Sequence, residues 1–184
     1  MNSPMATAPR QFPGSMRFLH WLMAAAVLAM LGIGVAMVAS LADYHRLISI
    51  HRPLGILILI LVVIRFVNRQ LSNVPPLPPE FPAGERFIVA ASETLLYSLL
   101  FLLPLVGWGM LSAARYPIVM FGSFHLFPIL PRSVVLYSVL RQAHTILAYL
   151  LFFAFAAHFG AALFHTWVLR DRLLDRMAPW RVRN

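Results

Sequence analysis

Four long apolar stretches constrain the fold of this sequence more than any other feature. They cover residues 18–42, 51–68, 87–114 and 134–169 of the 184-residue chain. The hydrocarbon core of a bilayer requires roughly 20 helical residues. We therefore predict four transmembrane helices, with spans at about 18–42, 47–69, 87–114 and 141–165. The fourth stretch is too long for one straight span, so we expect its helix to continue past the membrane edge.

The composition also indicates a membrane protein. Apolar residues make up 60% of the chain and charged residues 11%, against about 25% charged in soluble domains. All 15 basic residues are Arg, and the formal net charge is +9. These arginines interrupt apolar runs and form no polar face, which argues against a nucleic-acid partner. The absence of Cys excludes disulfides, thiolate metal sites and tethered c-type haem.

The chain is predicted to be an all-α membrane protein with one four-helix domain. We assign residues 15–179 to this domain, with an N-terminal tail at 1–14 and a C-terminal tail at 180–184. The segment 74–82 contains five prolines and is expected to be an extended loop between the second and third helices. With the N-terminus inside, ten arginines fall on the inner side and five on the outer side. This bias predicts that both termini are cytoplasmic.

Four of the seven histidines lie within or at the edges of the predicted spans: His20, His51, His144 and His158. An ionisable residue at membrane depth is costly and marks a functional site by default. The alternative role for any one of them is a hydrogen bond between helices. His144 and His158 are fourteen residues apart, so they face the same way, separated by about 21 Å along the fourth helix.

Depth then sorts these histidines into two pairs. His20 and His158 fall at the inner level, and His51 and His144 fall at the outer level. Two stacked bis-histidine sites inside a helix bundle suit two haems b, whose iron takes two axial imidazoles. Zinc would require three or four ligands at one point. A proton relay would place histidines more continuously, with acids between them.

Several stretches, in this order, resemble the bacterial cytochrome b561 family of four-helix, di-haem membrane cytochromes. They are RFLHWLMA, SIHRPLGILILILVVIRFVNR, PPLPP, LLYSLLFLLPLVGW, RQAHTILAYLLFFAFAAHFGAALFH and DRLLDRMAP. The resemblance covers roughly residues 16–179. It implies two haems b with His20, His51, His144 and His158 as axial ligands, in agreement with the pairing by depth. It also implies a multi-pass protein of the bacterial inner membrane.

The resemblance extends to superoxide:ubiquinone oxidoreductases within this family. It implies transmembrane electron transfer that oxidises superoxide at the periplasmic face and reduces ubiquinone. The alternative is a non-catalytic di-haem cytochrome b subunit, which passes electrons between a partner redox protein and the quinone pool. A membrane scaffold or transporter is a third class, but it would require no ligand pairs.

Two further residues are candidates for a quinone site near the inner haem. His165 lies seven residues after His158, close to the same face of the helix, and could donate a hydrogen bond to the head group. Trp21 follows His20 and could form an apolar wall. The alternative is that Trp21 belongs to the interfacial aromatic belt and His165 is a solvated residue at the helix end.

The outer arginines suggest two roles. Arg52 and Arg141 lie close to ligand histidines and are expected to bind haem propionates. Arg46, Arg115 and Arg132 are candidates for steering an anion such as superoxide.

Three smaller assignments complete the predicted site. Gly55 lies one turn after His51 and could leave room for the porphyrin, or it could serve helix packing. We expect His45 and His125 to be loop residues without a ligand role.

Overall fold

The described residues of the computed structural model, 11–77, 81–120, 122–180 and 182, form four long helices. The helices are α1 (Gly14–Ala39), α2 (Tyr44–Leu71), α3 (Ala83–Ala114) and α4 (Val134–Phe164). Strands β1 (Ile118–Met120) and β2 (Phe124–Leu126) form an antiparallel hairpin between α3 and α4. After α4, the chain continues as a π-helical turn (His165–Leu169) and a 3-10 helix (Leu173–Arg176).

Each long helix is apolar enough to cross a membrane. Their most apolar 18-residue windows have mean hydropathies between 1.8 and 2.5. Large apolar side chains cover the outside of the bundle, and Val38 and Leu71 are each 83% exposed. Such a surface is costly in water but matches lipid. The prediction of a multi-pass, all-α membrane protein with four transmembrane helices is confirmed.

The helix ends follow from local sequence signals. α1 ends at Ala39 because Ser40 adopts an extended conformation, with φ −129° and ψ 105°. The helix therefore stops three residues before the end of the predicted span. α4 begins at Val134, seven residues before the predicted start of its span, because the side chain of Ser133 accepts a hydrogen bond from the Leu136 N–H.

The bundle consists of two closely packed helix pairs, α1 with α2 and α3 with α4, joined through α2 and α3. The buried core of the first pair is formed by Met23, Val27, Ile58, Leu61 and Val62. The core of the second pair is formed by Leu99, Leu103 and Leu151. Within the described residues, the backbone of α4 approaches α1 and α2 closely at few positions. Contacts between α4 and the α1–α2 pair are therefore made mainly by side chains.

The segment after α4 folds back onto the beginning of α1. Trp21 Nε1 donates to the Met177 carbonyl at 2.8 Å, and Arg17 donates to the Ala178 carbonyl at 2.9 Å. Arg176 is 4% exposed and donates to the carbonyls of Pro75 and Pro76 at 2.7 and 2.8 Å. The N-terminal end of α1, the segment after α4 and the proline-rich loop are therefore joined.

Parts of three predicted segments lie outside the described residues. The N-terminal tail is described at residues 11–14, the C-terminal tail at 180 and 182, and the proline-rich loop without residues 78–80.

Candidate functional site

Two histidine pairs cross the separation between α4 and the α1–α2 pair. The ring centroids of His20 and His158 are 6.4 Å apart, with an interplanar angle of 62°. Those of His51 and His144 are 6.2 Å apart, at 70°. The structure therefore brings together the same pairs that depth along the helices predicts. His158 is exposed and the other three rings are partly buried.

The separation of the rings suits one metal ion between each pair. Metal–imidazole bonds of about 2.0–2.1 Å and ring bonds of about 1.35 Å would place the centroids of two rings on opposite sides of a metal roughly 6.3–6.5 Å apart, close to both observed distances. Within the described residues, no three His, Cys, Asp or Glu side chains come together for a metal. Each level therefore offers a two-histidine site, which fits an iron porphyrin better than zinc.

The surroundings of the outer pair also fit a bound group. The Nδ1 atoms of His51 and His144 are buried and lack hydrogen-bond partners among the described residues. A Cβ added at Gly107 would lie 3.2 Å from Cε1 of His144. The α3 backbone therefore approaches this ring closely, which only a glycine permits without displacement.

The inner pair is accompanied by Arg65 from α2. Arg65 Nη1 donates to Nδ1 of His20 at 3.0 Å, and its Nε donates to the hydroxyl of Tyr97 at 3.0 Å. The guanidinium also lies 5.6 Å from the centre of the Tyr97 ring, within range of a cation–π interaction. Three helices thus contribute to the surroundings of His20.

The arginines predicted to bind propionates lie beside the outer pair without an acidic partner among the described residues. Arg52 donates to the Pro117 carbonyl at 3.3 Å, and its Nε is buried and unpaired. Arg141 makes a 3.5 Å contact with the hydroxyl of Tyr137. Both guanidinium groups therefore retain capacity for an anionic ligand, and the propionate role stays a prediction.

The predicted steering arginines are all exposed: Arg46, Arg115 and Arg132. Arg46 lines an open pocket of about 420 Å³ together with Ser40 and Asp43. Asp43 accepts a hydrogen bond from the Ser40 hydroxyl at 2.9 Å. None of these three arginines forms an ion pair within the described part of the chain. The end of the bundle that carries the β-hairpin, predicted to be the outer end, is therefore positively charged.

The two quinone candidates lie at the inner end, each with a different neighbour. Trp21 is 41% exposed and lies edge-on to His20, with ring centroids 5.7 Å apart. His165 stacks on Phe81, with centroids 6.2 Å apart and an angle of 9°, and its Nδ1 pairs with Asp171. The indole N–H of Trp21 already binds Met177, and Nδ1 of His165 faces Asp171. Nε2 of His165 is therefore the nitrogen left for a head group, and it donates when the ring carries both protons.

The remaining candidates lie outside the two pairs. A Cβ at Gly55 would lie 3.7 Å from Cε of Met30, an ordinary contact with α1. His45 lies in the first turns of α2, not in a loop, beside Tyr44. His125 is exposed on strand β2 and is therefore not a loop residue as predicted.

Sequence reasoning missed the roles of Arg65, Tyr97 and Gly107 around the histidine pairs. A signal for Arg65 was present, because it follows His51 by fourteen residues, the same separation as between His144 and His158. Gly107 and Tyr97 carried no comparable signal, since their positions depend on how α3 packs against its neighbours.

Sequence comparisons relate this chain to known proteins over most of its length. Residues 11–180 match a family described as prokaryotic cytochrome b561. The chain is 31% identical over 161 residues to cytochrome b561 homolog 2 of Escherichia coli, covering 86% of each protein. It is 25% identical over 174 residues to cytochrome b561 homolog 1 of the same organism, covering 93% of this chain and 98% of that protein. It is 27% identical over 166 residues to the probable superoxide oxidase CybB of Yersinia pestis, covering 88% of this chain and 92% of that protein.

Proposed function

Since this chain belongs to the prokaryotic cytochrome b561 family, and is therefore a haem b protein of membrane electron transfer, we propose that it carries electrons across the bacterial inner membrane from superoxide to ubiquinone. The proposal assigns two haems b to the chain, one for each histidine pair. His51 and His144 are the outer ligands, and His20 and His158 are the inner ligands. Haem b held by these histidines would supply one-electron transfer.

The observation that carries this proposal is the distance between the ring centroids in each histidine pair, 6.2 Å for the outer pair and 6.4 Å for the inner pair. Both pairs use a histidine from the same face of α4. His144 and His158 lie on α4 about 21 Å apart along its axis, so the two sites are at opposite levels of the bilayer. Helix α4 contributes a ligand to each. This arrangement connects the two membrane faces, which a single site near one face would not do.

The charges on the outer end support superoxide as the electron donor. Arg46, Arg115 and Arg132 are exposed and have no ion-pair partner among the described residues. Positive charge around an entrance raises the encounter rate of small anions. The similarity to a probable superoxide oxidase of Yersinia pestis points to the same donor.

The reaction balances with one acceptor for every two donors. Two superoxide anions release two electrons and become two molecules of O₂. Ubiquinone takes up these two electrons together with two protons and becomes ubiquinol. We assign the quinone site to the inner end, where His165 can donate a hydrogen bond and Trp21 offers an aromatic wall.

Stopped-flow spectroscopy of the purified, haem-loaded protein tests this function. We expect superoxide to reduce the haem and an added ubiquinone analogue to reoxidise it, and both steps are followed in the haem absorbance bands. Superoxide dismutase added beforehand should abolish the first phase, which identifies the reductant. Reduction by dithionite and reoxidation by quinone without any reduction by superoxide would contradict the proposed donor and favour an electron-transfer subunit served by a partner redox protein.

A further inference from the structure

Arg65 carries a positive charge beside the inner histidine pair without a carboxylate to balance it. Its partners are Nδ1 of His20 and the hydroxyl of Tyr97, and no ion pair among the described residues includes it. By contrast, Arg69 lies one turn further along α2 and is paired with both carboxylate oxygens of Glu93. Arg65 thus brings an uncompensated positive charge to the inner site.

The position of Arg65 follows from the periodicity of α2. His51 and Arg65 are fourteen residues apart, a spacing that keeps two residues near one face, about 21 Å apart along the axis. His144 and His158 have the same spacing on α4. α2 therefore presents a histidine at the outer level and an arginine at the inner level, where Arg65 donates a hydrogen bond to His20, the partner of His158.

The hydrogen bond to His20 also restricts which ring nitrogen is left for a metal. Arginine only donates, so Nδ1 of His20 is the acceptor and Nε2 is the other nitrogen. A neutral imidazole that binds a metal through Nε2 carries its proton on Nδ1. That N–H would face the N–H groups of Arg65, and two donors cannot form a hydrogen bond. When His20 serves as a ligand, Arg65 must therefore release Nδ1, while it retains Tyr97 and its charge.

We propose that Arg65 raises the reduction potential of the inner site and so favours the arrival of electrons there. The inference rests on the proposed function, because it takes His20 and His158 as ligands of the inner haem. A nearby positive charge stabilises the state that has gained an electron over the one that has not. The membrane interior has a low dielectric constant, and salt screens charges there poorly. A single charge therefore has a large effect on the reduction potential. Arg65 acts through the potential and is a tuning residue, not a ligand.

Redox titration of the haem absorbance tests this role. The inner component is identified as the one that His158→Ala removes. We expect Arg65→Gln to shift its one-electron equilibrium at least tenfold toward the oxidised form, which lowers the potential by about 59 mV. Arg65→Lys keeps the charge and should shift it less than threefold. The double variant Arg69→Gln/Glu93→Gln removes a neighbouring guanidinium at constant net charge and should also shift it less than threefold.

Two results from the Arg65 variants would overturn the assignment. One is a change of less than twofold in Arg65→Gln, and the other is an equal change in Arg65→Lys, since charge would then not be the cause. If Arg65→Gln fails to retain the inner haem, Tyr97→Glu places a carboxylate beside Arg65 and should produce the same tenfold shift; an unchanged potential there also overturns it. If His158→Ala removes no component, the proposed ligands are wrong, which is a failure of the function and not of Arg65.

Discussion

His144 and His158 lie fourteen residues apart on α4, and each faces a histidine of a different helix. His144 faces His51 of α2, and His158 faces His20 of α1. One helix therefore contributes to both sites, while α1 and α2 each contribute to one.

Because α4 contributes to both sites, each histidine variant is expected to affect only the site to which that histidine belongs. His158→Ala should remove the inner haem and leave most of the outer one, because only its own pair loses an axial ligand. His144→Ala should do the reverse. Redox titration should then show one remaining component in each variant, with different potentials. If His20→Ala and His144→Ala removed the same component, the pairing would be wrong.

The close approach of α3 to His144 predicts an effect of Gly107→Ala. The new Cβ would lie 3.2 Å from Cε1 of His144, so the ring must move by a few tenths of an ångström. We expect altered low-spin EPR g-values for the outer haem and an unchanged inner signal. Gly32→Ala is the matched control, because its Cβ meets no atom within 4 Å. An unaltered outer signal in Gly107→Ala would show that His144 tolerates the added methyl group.

The exposed outer arginines predict a change confined to the reductive half-reaction. Arg115→Gln and Arg132→Gln should each slow reduction by superoxide several-fold at low salt, and should weaken its dependence on ionic strength. Reoxidation by quinone should stay the same. Arg170→Gln makes the same charge change on an exposed residue at the inner end and should leave the reduction rate unchanged. Equal slowing by all three variants would argue against steering.

The proposed role of His165 at the quinone site predicts a change confined to reoxidation by quinone. His165→Ala should leave the haem spectra and reduction by superoxide intact and should slow reoxidation by quinone, since the head group loses a hydrogen-bond donor. The expected loss is about 10²-fold if His165 also delivers a proton. His125→Ala, on the outer hairpin, should change neither rate. If His165→Ala slowed both half-reactions equally, its role would be structural, and the quinone site would lie elsewhere.

Much of this arrangement could be predicted from the sequence because helical periodicity and membrane thickness act on it together. Fourteen residues is close to four helical turns, so spacing alone relates His144 to His158, and depth alone relates each of them to its partner. The same reasoning could not place Tyr97 beside Arg65 or Gly107 beside His144, because those contacts depend on the rotation and approach of α3. The contact between the segment around Met177 and Trp21 could not be predicted either. It is formed by backbone carbonyls, which every residue has, so no residue type indicates it.

The number of haems bound per chain tests the central claim most directly. Haem extracted with acidified acetone, which releases haem b because no Cys tethers it, is quantified as the pyridine haemochrome and divided by the protein concentration from amino-acid analysis. We predict a ratio near two for the purified chain and near one for both His144→Ala and His158→Ala. A ratio near one for the unaltered chain would contradict two stacked sites and the electron path between the membrane faces.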